Sequence, residues 1–272
     1  MLQASLFVVL CTIGVPENSG DVIIRPDKPN HFEAYRPNYF LFGDQEDQIL
    51  FQFSFRYNLW PQEENRLGVF LAYTQRSWWD LYAFDDSSPF TENNYSPELV
   101  FRWRYRRFGV LGTGFDQVQF GFQHQSNGED SVESRSWDRI YAEQRFVYFF
   151  GEPTLDTPTL RAYLRLWLIL AKDPFNFDIE DFMGPGELIV NLSSGDTEFG
   201  KFEAEALLRK GGYNLRFERG AVQLGLRWVP PWSSWVRFTP GLYVQGFVGY
   251  GQSLLRYNER DDAIRVGVFF DS

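Results

Sequence analysis

The chain has 272 residues and a formal net charge of −10, and 19% of its residues are aromatic although the mean hydropathy is −0.34. The acidic excess argues against a nucleic-acid partner, because phosphate backbones are bound by clustered Lys and Arg, and it favours divalent cations instead. After the N-terminal stretch, no apolar run reaches the length of a membrane-spanning helix. The single cysteine, Cys11, excludes a disulfide framework and a cysteine metal site.

The N-terminal segment differs from the rest of the chain. Residues 2–15 are apolar over the length of a signal peptide, although no Lys or Arg precedes them and no clear small-residue cleavage site follows. A buried N-terminal strand is the alternative interpretation. Because no linker or change of composition divides the remainder, the sequence predicts a leader or extension over residues 1–31 and one β-barrel domain over residues 32–272.

Apolar and polar side chains alternate with period two in segment after segment. In residues 49–59, for example, aromatic and leucine side chains share one face, while Gln52, Ser54 and Arg56 occupy the other. This alternation, over this length, is typical of tilted membrane strands. The pattern predicts about twelve strands, over residues 32–42, 49–59, 68–79, 98–106, 118–126, 136–150, 160–170, 188–192, 202–209, 222–228, 236–247 and 264–270.

Two all-β architectures fit this alternation, because periodicity does not distinguish inside from outside. In a soluble β-sandwich the apolar faces point into one thin core, whereas in a closed antiparallel transmembrane β-barrel they form a continuous outer belt. The density of large aromatic side chains favours the barrel. Tryptophans near strand ends fit the aromatic girdles at the two membrane interfaces: Trp60, Trp78, Trp79, Trp232 and Trp235.

One predicted strand carries a possible catalytic pair. The chain has only two histidines, His31 and His124, and period two places His124 and Ser126 together on a face that is otherwise apolar. A His and a Ser two positions apart on a strand lie side by side, as a general base and a hydroxyl nucleophile require. Gly128 follows and could offer its N–H to a developing oxyanion; a turn glycine is the alternative interpretation.

The next predicted strand adds an acidic residue, Asp138, on its own apolar face. A carboxylate on a lipid-directed face is costly unless it is paired, and His124 on the neighbouring strand is the expected partner. Ser126, His124 and Asp138 then match the nucleophile, base and orienting group of a catalytic triad on a lipid-facing wall. Interfacial hydrogen bonding is the alternative, but three polar residues converging on one apolar face favour catalysis.

These residues resemble the active-site stretch of the outer-membrane phospholipase A family of Gram-negative bacteria. The family's His-x-Ser-Asn-Gly matches residues 124–128, and its Ser-Arg-Ser-Trp matches residues 134–137. Further similarity occurs at residues 73–79, 87–90, 94–95, 182–184 and 249–254, so that the resemblance runs from about residue 29 to residue 270.

The resemblance implies a twelve-stranded barrel in the bacterial outer membrane that hydrolyses phospholipid acyl esters and is active as a calcium-bound homodimer. Ser126 would be the nucleophile and His124 the base. Other positions follow by the same resemblance: Ser134 holds Ca²⁺ through its hydroxyl, main-chain oxygens of Glu129 and of Ser87 of the partner subunit complete much of the site, and Gln75 lies at the dimer interface. Calcium accepts such mixed oxygen ligands and would polarise a water that stabilises the oxyanion beside the Gly128 amide.

The sequence departs from the family pattern in several places. Asp138 stands where the family has Asn, and we expect it to stabilise the His124 imidazolium. Glu129 replaces a basic residue, which could strengthen calcium binding. The family's acidic calcium ligand follows the seventh strand, where this sequence differs; Asp173 is the candidate and Asp178 the rival. The chain also ends in Asp-Ser rather than in the aromatic residue that barrel assembly usually recognises.

A passive pore or structural barrel without catalysis is the alternative function. Its lumen would have to remain open, but several charged residues are predicted to point inward, where opposite charges can pair and fill a barrel of this strand number. They are Arg102, Arg104, Arg161, Arg165 and Glu143. The sequence therefore favours a filled barrel with its chemistry on the outer wall.

Overall fold

The structure is a computed structural model that describes residues 31–43, 49–60, 67–80, 89–108, 114–152, 154, 156–213, 218–231 and 240–270. The strands are β1 (Phe32–Ala34), β2 (Asn38–Gly43), β3 (Ile49–Asn58), β4 (Leu67–Trp79), β5 (Phe90–Phe108), β6 (Gly114–Ser126), β7 (Ser136–Phe149), β8 (Thr159–Lys172), β9 (Gly186–Ser193), β10 (Lys201–Lys210), β11 (Gly220–Val229), β12 (Pro240–Tyr250) and β13 (Arg260–Phe270). A short helix, α1 (Glu180–Met183), and two 3₁₀ turns (Ser131–Glu133 and Pro174–Asn176) lie in the connections. No helix in the described ranges is long and apolar enough to cross a membrane.

All strand pairs are antiparallel, and the sheet closes on itself. β2 pairs with β13 on one side and with β3 on the other, and each later strand pairs with the next along the chain. β1 and β2 pair with the same neighbour, β3, and therefore act as one interrupted strand. The barrel thus has twelve strands, as the alternation predicted.

The interruption between β1 and β2 sends two side chains into the lumen. Tyr35 donates a hydrogen bond to Glu98 Oε2 at 3.2 Å, and Arg36 forms an ion pair with Glu98 Oε1 at 3.2 Å. Pro37 follows directly and has no N–H to donate to a sheet ladder. The break therefore provides a hydrogen-bond donor and a positive charge for the Glu98 carboxylate, which faces the lumen.

Exposure distinguishes the barrel from the sandwich. Leu168 on the outer face is 65% exposed, whereas Arg265 on the inner face is 1% exposed, and the same contrast repeats along the strands. A soluble sandwich would bury its apolar faces, so the β-sandwich alternative is wrong. The apolar residues of each strand form the belt that contacts hydrocarbon.

The lumen is packed with paired polar side chains. Arg165 and Glu143, predicted to face inward, form a buried ion pair with a nitrogen–oxygen distance of 2.6 Å. Gln119 donates a second hydrogen bond to Glu143 at 2.7 Å. Tyr141 and Gln123 donate to Glu98 at 2.7 and 3.2 Å. These contacts fill the barrel, as the sequence indicated.

The end of the barrel at which β5 begins and β6 ends is covered by loops. The segment 251–259 folds over it because the backbone N–H groups of Leu254 and Leu255 donate to the side chains of Asn94 and Glu92, at 3.0 and 2.7 Å. Phe182 and Met183 of α1 pack in one buried apolar cluster with Leu254 and Tyr257 of this segment. Together with the filled lumen, this cover argues against an open pore.

Two details of the strands differ from the sequence prediction. β5 begins at Phe90 rather than at residue 98. It contains Asn94 and Pro97, which favour turns, and it stays extended there because it pairs with β4. Trp78 lies in the lumen, buried against Leu50, and not in an interfacial girdle. Trp79, in contrast, stacks on Phe90, which is exposed on the outer face. Trp232 and Trp235 lie outside the described residues.

Candidate active site

The candidate active site lies on the outer wall, where β6 and β7 run side by side. His124 and Asp138 are direct register partners on these strands. His124 Nδ1 and Asp138 Oδ1 are 2.7 Å apart, a hydrogen-bonding distance, and both side chains are partly exposed on the lipid-facing surface. The expected pairing of the acid with the histidine is therefore present, and it leaves Nε2 of the ring available to a proton donor.

Ser126 lies on the same face, two residues beyond His124. Its register partners are Tyr95 on β5 and Ser136 on β7. Among the described residues, its hydroxyl makes no hydrogen bond. Pro97, which would lie opposite His124 in the register of β5, has no N–H to donate to the ladder. Catalytic hydrogen bonds are often loose before substrate arrives, and the strand period keeps Ser126 beside the histidine.

Gly128, in the loop after β6, has a backbone conformation that favours glycine. Its φ is +76°, and a Cβ added there would lie 2.8 Å from the Tyr95 ring. Both the left-handed backbone and the close approach of Tyr95 therefore require a residue without a side chain. This places the Gly128 backbone two residues from Ser126, where an oxyanion donor is needed.

The predicted calcium ligands Ser134 and Asp173 meet beside this loop. The Ser134 hydroxyl donates to Asp173 Oδ2 at 2.9 Å, although the two residues are 39 positions apart. The other oxygen, Oδ1, accepts the Phe175 N–H at 2.9 Å and so caps the turn that follows. A hydroxyl and a carboxylate at this separation fit calcium, which prefers hard oxygen ligands from several sources.

Asp178, the rival acid, is used elsewhere. Its carboxylate accepts a hydrogen bond from the hydroxyl of Tyr257, in the segment that covers the barrel. Burial raises the pKa of Tyr257, and the hydrogen bond and negative charge of Asp178 raise it further, which keeps the phenol protonated as a donor. Of the two acids, only Asp173 contacts Ser134.

The remaining predicted calcium ligands are Glu129 and Ser87. Glu129 is exposed in the loop after β6, and its N–H donates a long hydrogen bond of 3.4 Å to Asn127 Oδ1. Ser87 lies outside the described residues. In the described part of the chain, His, Cys, Asp and Glu side chains form no metal-binding group of three or more. A calcium ion here would need main-chain oxygens and water besides Ser134 and Asp173.

Comparison with known proteins decides the family. A family model described as phospholipase A1 matches residues 24–270, nearly the whole chain. The chain belongs to the phospholipase A1 family. Phospholipase A1 of Escherichia coli strain K12 is 33% identical over 232 residues, which cover 84% of this chain and 71% of that protein.

Solved structures agree with this family assignment. The outer membrane phospholipase A from E. coli superimposes with a TM-score of 0.71 at 25% identity, covering 93% of this chain and 96% of that one. A Salmonella typhi outer membrane phospholipase, a dimer with bound calcium, shares the fold with a TM-score of 0.70 at 24% identity, covering 92% and 96%. The expectations of a phospholipase enzyme and of an outer-membrane β-barrel are therefore confirmed.

Gln75 belongs to a polar row on the lipid-facing surface of this phospholipase. Its side chain accepts from the Tyr73 hydroxyl at 3.0 Å and donates to Ser77 Oγ at 3.1 Å, and Ser77 donates to Asn93 at 2.7 Å. Gln75 is also the register partner of Tyr95, which is in turn the register partner of Ser126, so that only β5 separates the row from Ser126. Sequence reasoning found only Gln75, although the same period-two count could have found Tyr73 and Ser77.

A second polar row, on the lumen side of the strands behind His124, Ser126 and Asp138, was also missed. Gln125 points into the lumen between His124 and Ser126 and accepts hydrogen bonds from Trp137 Nε1 at 2.9 Å and from Arg139 at 3.1 Å. These contacts join β6 to β7 at the level of His124 and Ser126. The signal was present in the alternation of β7, but the sequence does not reveal which lumen residues meet.

Proposed function

We propose that this phospholipase hydrolyses phospholipid acyl esters at the lipid-facing wall, using Ser126, His124 and Asp138. The hydrogen bond between His124 and Asp138 on the outer face is the observation that supports this most directly. Ionisable side chains on a lipid-facing surface are costly, and where they occur in pairs they typically mark functional sites. The neighbouring serine supplies the nucleophile that an esterase needs.

In this mechanism, Ser126 Oγ attacks the ester carbonyl while His124 Nε2 takes its proton. Asp138 stabilises the imidazolium that forms, through the bond to Nδ1. The Gly128 N–H donates to the tetrahedral oxyanion. His124 then gives its proton to the departing lysophospholipid oxygen, and a water molecule, deprotonated by His124, releases the fatty acid from Ser126.

Ser134 and Asp173 would hold calcium next to this oxyanion site, aided by a main-chain oxygen at Glu129. When bound, the ion would supply positive charge that stabilises the negative charge developing on the carbonyl oxygen of the ester. The calcium in the Salmonella typhi relative supports this assignment. Ser134 and Asp173 are the residues of this chain that fit the role by their contact.

We further propose that the active form is a homodimer in the membrane plane, with the polar row around Gln75 at its interface. Polar side chains on a lipid-facing surface are stabilised when they form hydrogen bonds with another protein surface. Gln75 is one strand away from Tyr95, which adjoins Ser126. A second barrel at this position would cover the open side of the site, and the Salmonella typhi structure is of a dimer.

Fatty-acid release in detergent micelles tests the proposal. Wild-type protein is expected to release fatty acid and lysophospholipid when calcium is present. This release is expected to stop when a chelator removes the calcium. Ser126→Ala is expected to remove activity completely while the barrel stays folded. Ser136→Ala is the matched control, because Ser136 is the register partner of Ser126 on the same face. Activity that survives in Ser126→Ala would exclude the proposed nucleophile.

A further inference from the structure

Two buried asparagines hold the loops that carry the proposed calcium ligands. Asn127 lies directly after β6, and Asn176 ends the 3₁₀ turn after β8, and both are almost completely shielded from solvent. A buried amide is costly unless its donors and acceptors are paired. The partners of these two side chains therefore show what the asparagines do.

Asn127 closes the loop on which Ser134 sits. Its Oδ1 accepts the Arg135 N–H at 2.9 Å, and its Nδ2 donates to the Glu133 carbonyl at 2.7 Å. Its own N–H donates to the Arg135 carbonyl at 3.0 Å. The backbone on both sides of Ser134 is thereby fixed to the end of β6.

Asn176 fixes the other ligand. Its Nδ2 donates to the Ser136 carbonyl at 3.1 Å, and its Oδ1 accepts the Ser136 N–H at 3.4 Å, as a neighbouring strand would. Its own N–H donates to the Asp173 carbonyl at 3.1 Å, and the Asp173 N–H donates to the Ser136 carbonyl at 2.9 Å. The turn carrying Asp173 is thus tied to the first residue of β7, two positions after Ser134.

We propose that Asn127 and Asn176 are positioning residues that set the separation of the Ser134 hydroxyl and the Asp173 carboxylate, and thereby the calcium affinity. This inference rests on the calcium site proposed above. Without these bonds the two loops would have to be ordered when calcium binds, and that ordering reduces affinity. Residues that orient metal ligands typically change affinity about 10-fold to 100-fold when replaced.

The two asparagines differ in their reach. Asn127 precedes Gly128, the proposed oxyanion donor, and its Oδ1 also accepts the Glu129 N–H at 3.4 Å, whereas the side chain of Asn176 hydrogen-bonds, among the described residues, only to Ser136. Loss of Asn176 is therefore expected to weaken calcium binding without changing kcat at saturating calcium. Loss of Asn127 is expected to lower both the calcium affinity and kcat.

Asn176→Leu tests this, because leucine keeps the shape of asparagine and removes its hydrogen bonds. Calorimetric titration of the whole, detergent-solubilised protein with calcium is expected to show a Kd raised about 10-fold or more, with kcat restored at high calcium. Asn94→Leu is the matched control, because Asn94 is equally buried but its side chain binds the segment 251–259. The calcium Kd of this variant is expected to be unchanged.

The titration also separates the two proposals. If wild-type protein binds no calcium, or if Asp173→Asn leaves the Kd unchanged, the calcium site itself is wrong. If Asp173→Asn weakens binding and folded Asn176→Leu does not, the positioning role is overturned. Should the leucine variant not fold, Asn176→Ala gives the same readout, and an unchanged Kd there also overturns the role.

Discussion

Asp138 Oδ1 lies 2.7 Å from His124 Nδ1 across two neighbouring strands, and both side chains face the membrane. The pairing results from register alone, because residues directly opposite on adjacent antiparallel strands have their side chains on the same face. A triad therefore needs no special loop to bring its acid to its base.

We expect Asp138→Ala to lower kcat about 100-fold or more. The His124 imidazolium would lose the carboxylate that stabilises it, and the imidazole ring would no longer be held in its orientation. Asp138→Asn keeps a hydrogen-bond acceptor but removes the charge, and a smaller loss is expected. Both are measured as fatty-acid release at saturating calcium, with folded barrel confirmed by heat-dependent gel mobility. Turnover above wild type in Asp138→Asn, with folding intact, would show that the charge is not used.

Asp173→Asn is expected to raise the calcium concentration for half-maximal activity about 10-fold, since it removes a charged ligand beside Ser134. Asp178→Asn is its control, because that carboxylate contacts Tyr257 instead. A calcium titration of both variants decides between the two acids. The opposite order of effects would assign the ligand to Asp178.

Gly128→Ala is expected to lower kcat about 100-fold or more, because the added Cβ strains a backbone at φ +76° and meets Tyr95, which displaces the oxyanion donor. Gly212→Ala is a suitable control. Gly212 has a similar φ of +65°, but an added Cβ would meet only an ordinary van der Waals contact, 3.8 Å from the Asp181 carbonyl oxygen. If both variants kept wild-type kcat in a micelle assay, the Gly128 amide would not be the donor.

Arg165→Met is expected to destabilise the barrel by about 3–5 kcal/mol, because Glu143 would remain buried without its ion-pair partner. Adding Glu143→Leu should recover much of this loss, since apolar replacement of a buried pair is often neutral. Urea unfolding in lipid vesicles measures both. If the Arg165→Met variant were as stable as wild type, water or other groups in the lumen would have to replace the arginine as partners of Glu143.

Much of the fold could be predicted because period-two alternation depends only on the chain's own pattern. The twelve strands, and the placement of His124, Ser126 and Asp138 on the apolar faces of their strands, followed from counting residues. The prediction was incomplete at β5, which begins at Phe90 and includes Asn94 and Pro97, residues that locally favour turns. Pairing with β4 along most of that strand overrode the local preference. The division at residue 31 stays a prediction, because residues 1–30 lie outside the described ranges.

The sequence by itself determined which face of each strand is apolar, and its motifs indicated the triad and Ser134, because these depend on neighbours along the chain. Only the tertiary structure decided that the apolar faces point outward, that Asp173 rather than Asp178 meets Ser134, and that Asn127 and Asn176 anchor the loops. These contacts join residues from separate strands and loops, and their partners are selected by barrel closure and strand register, which local alternation does not encode.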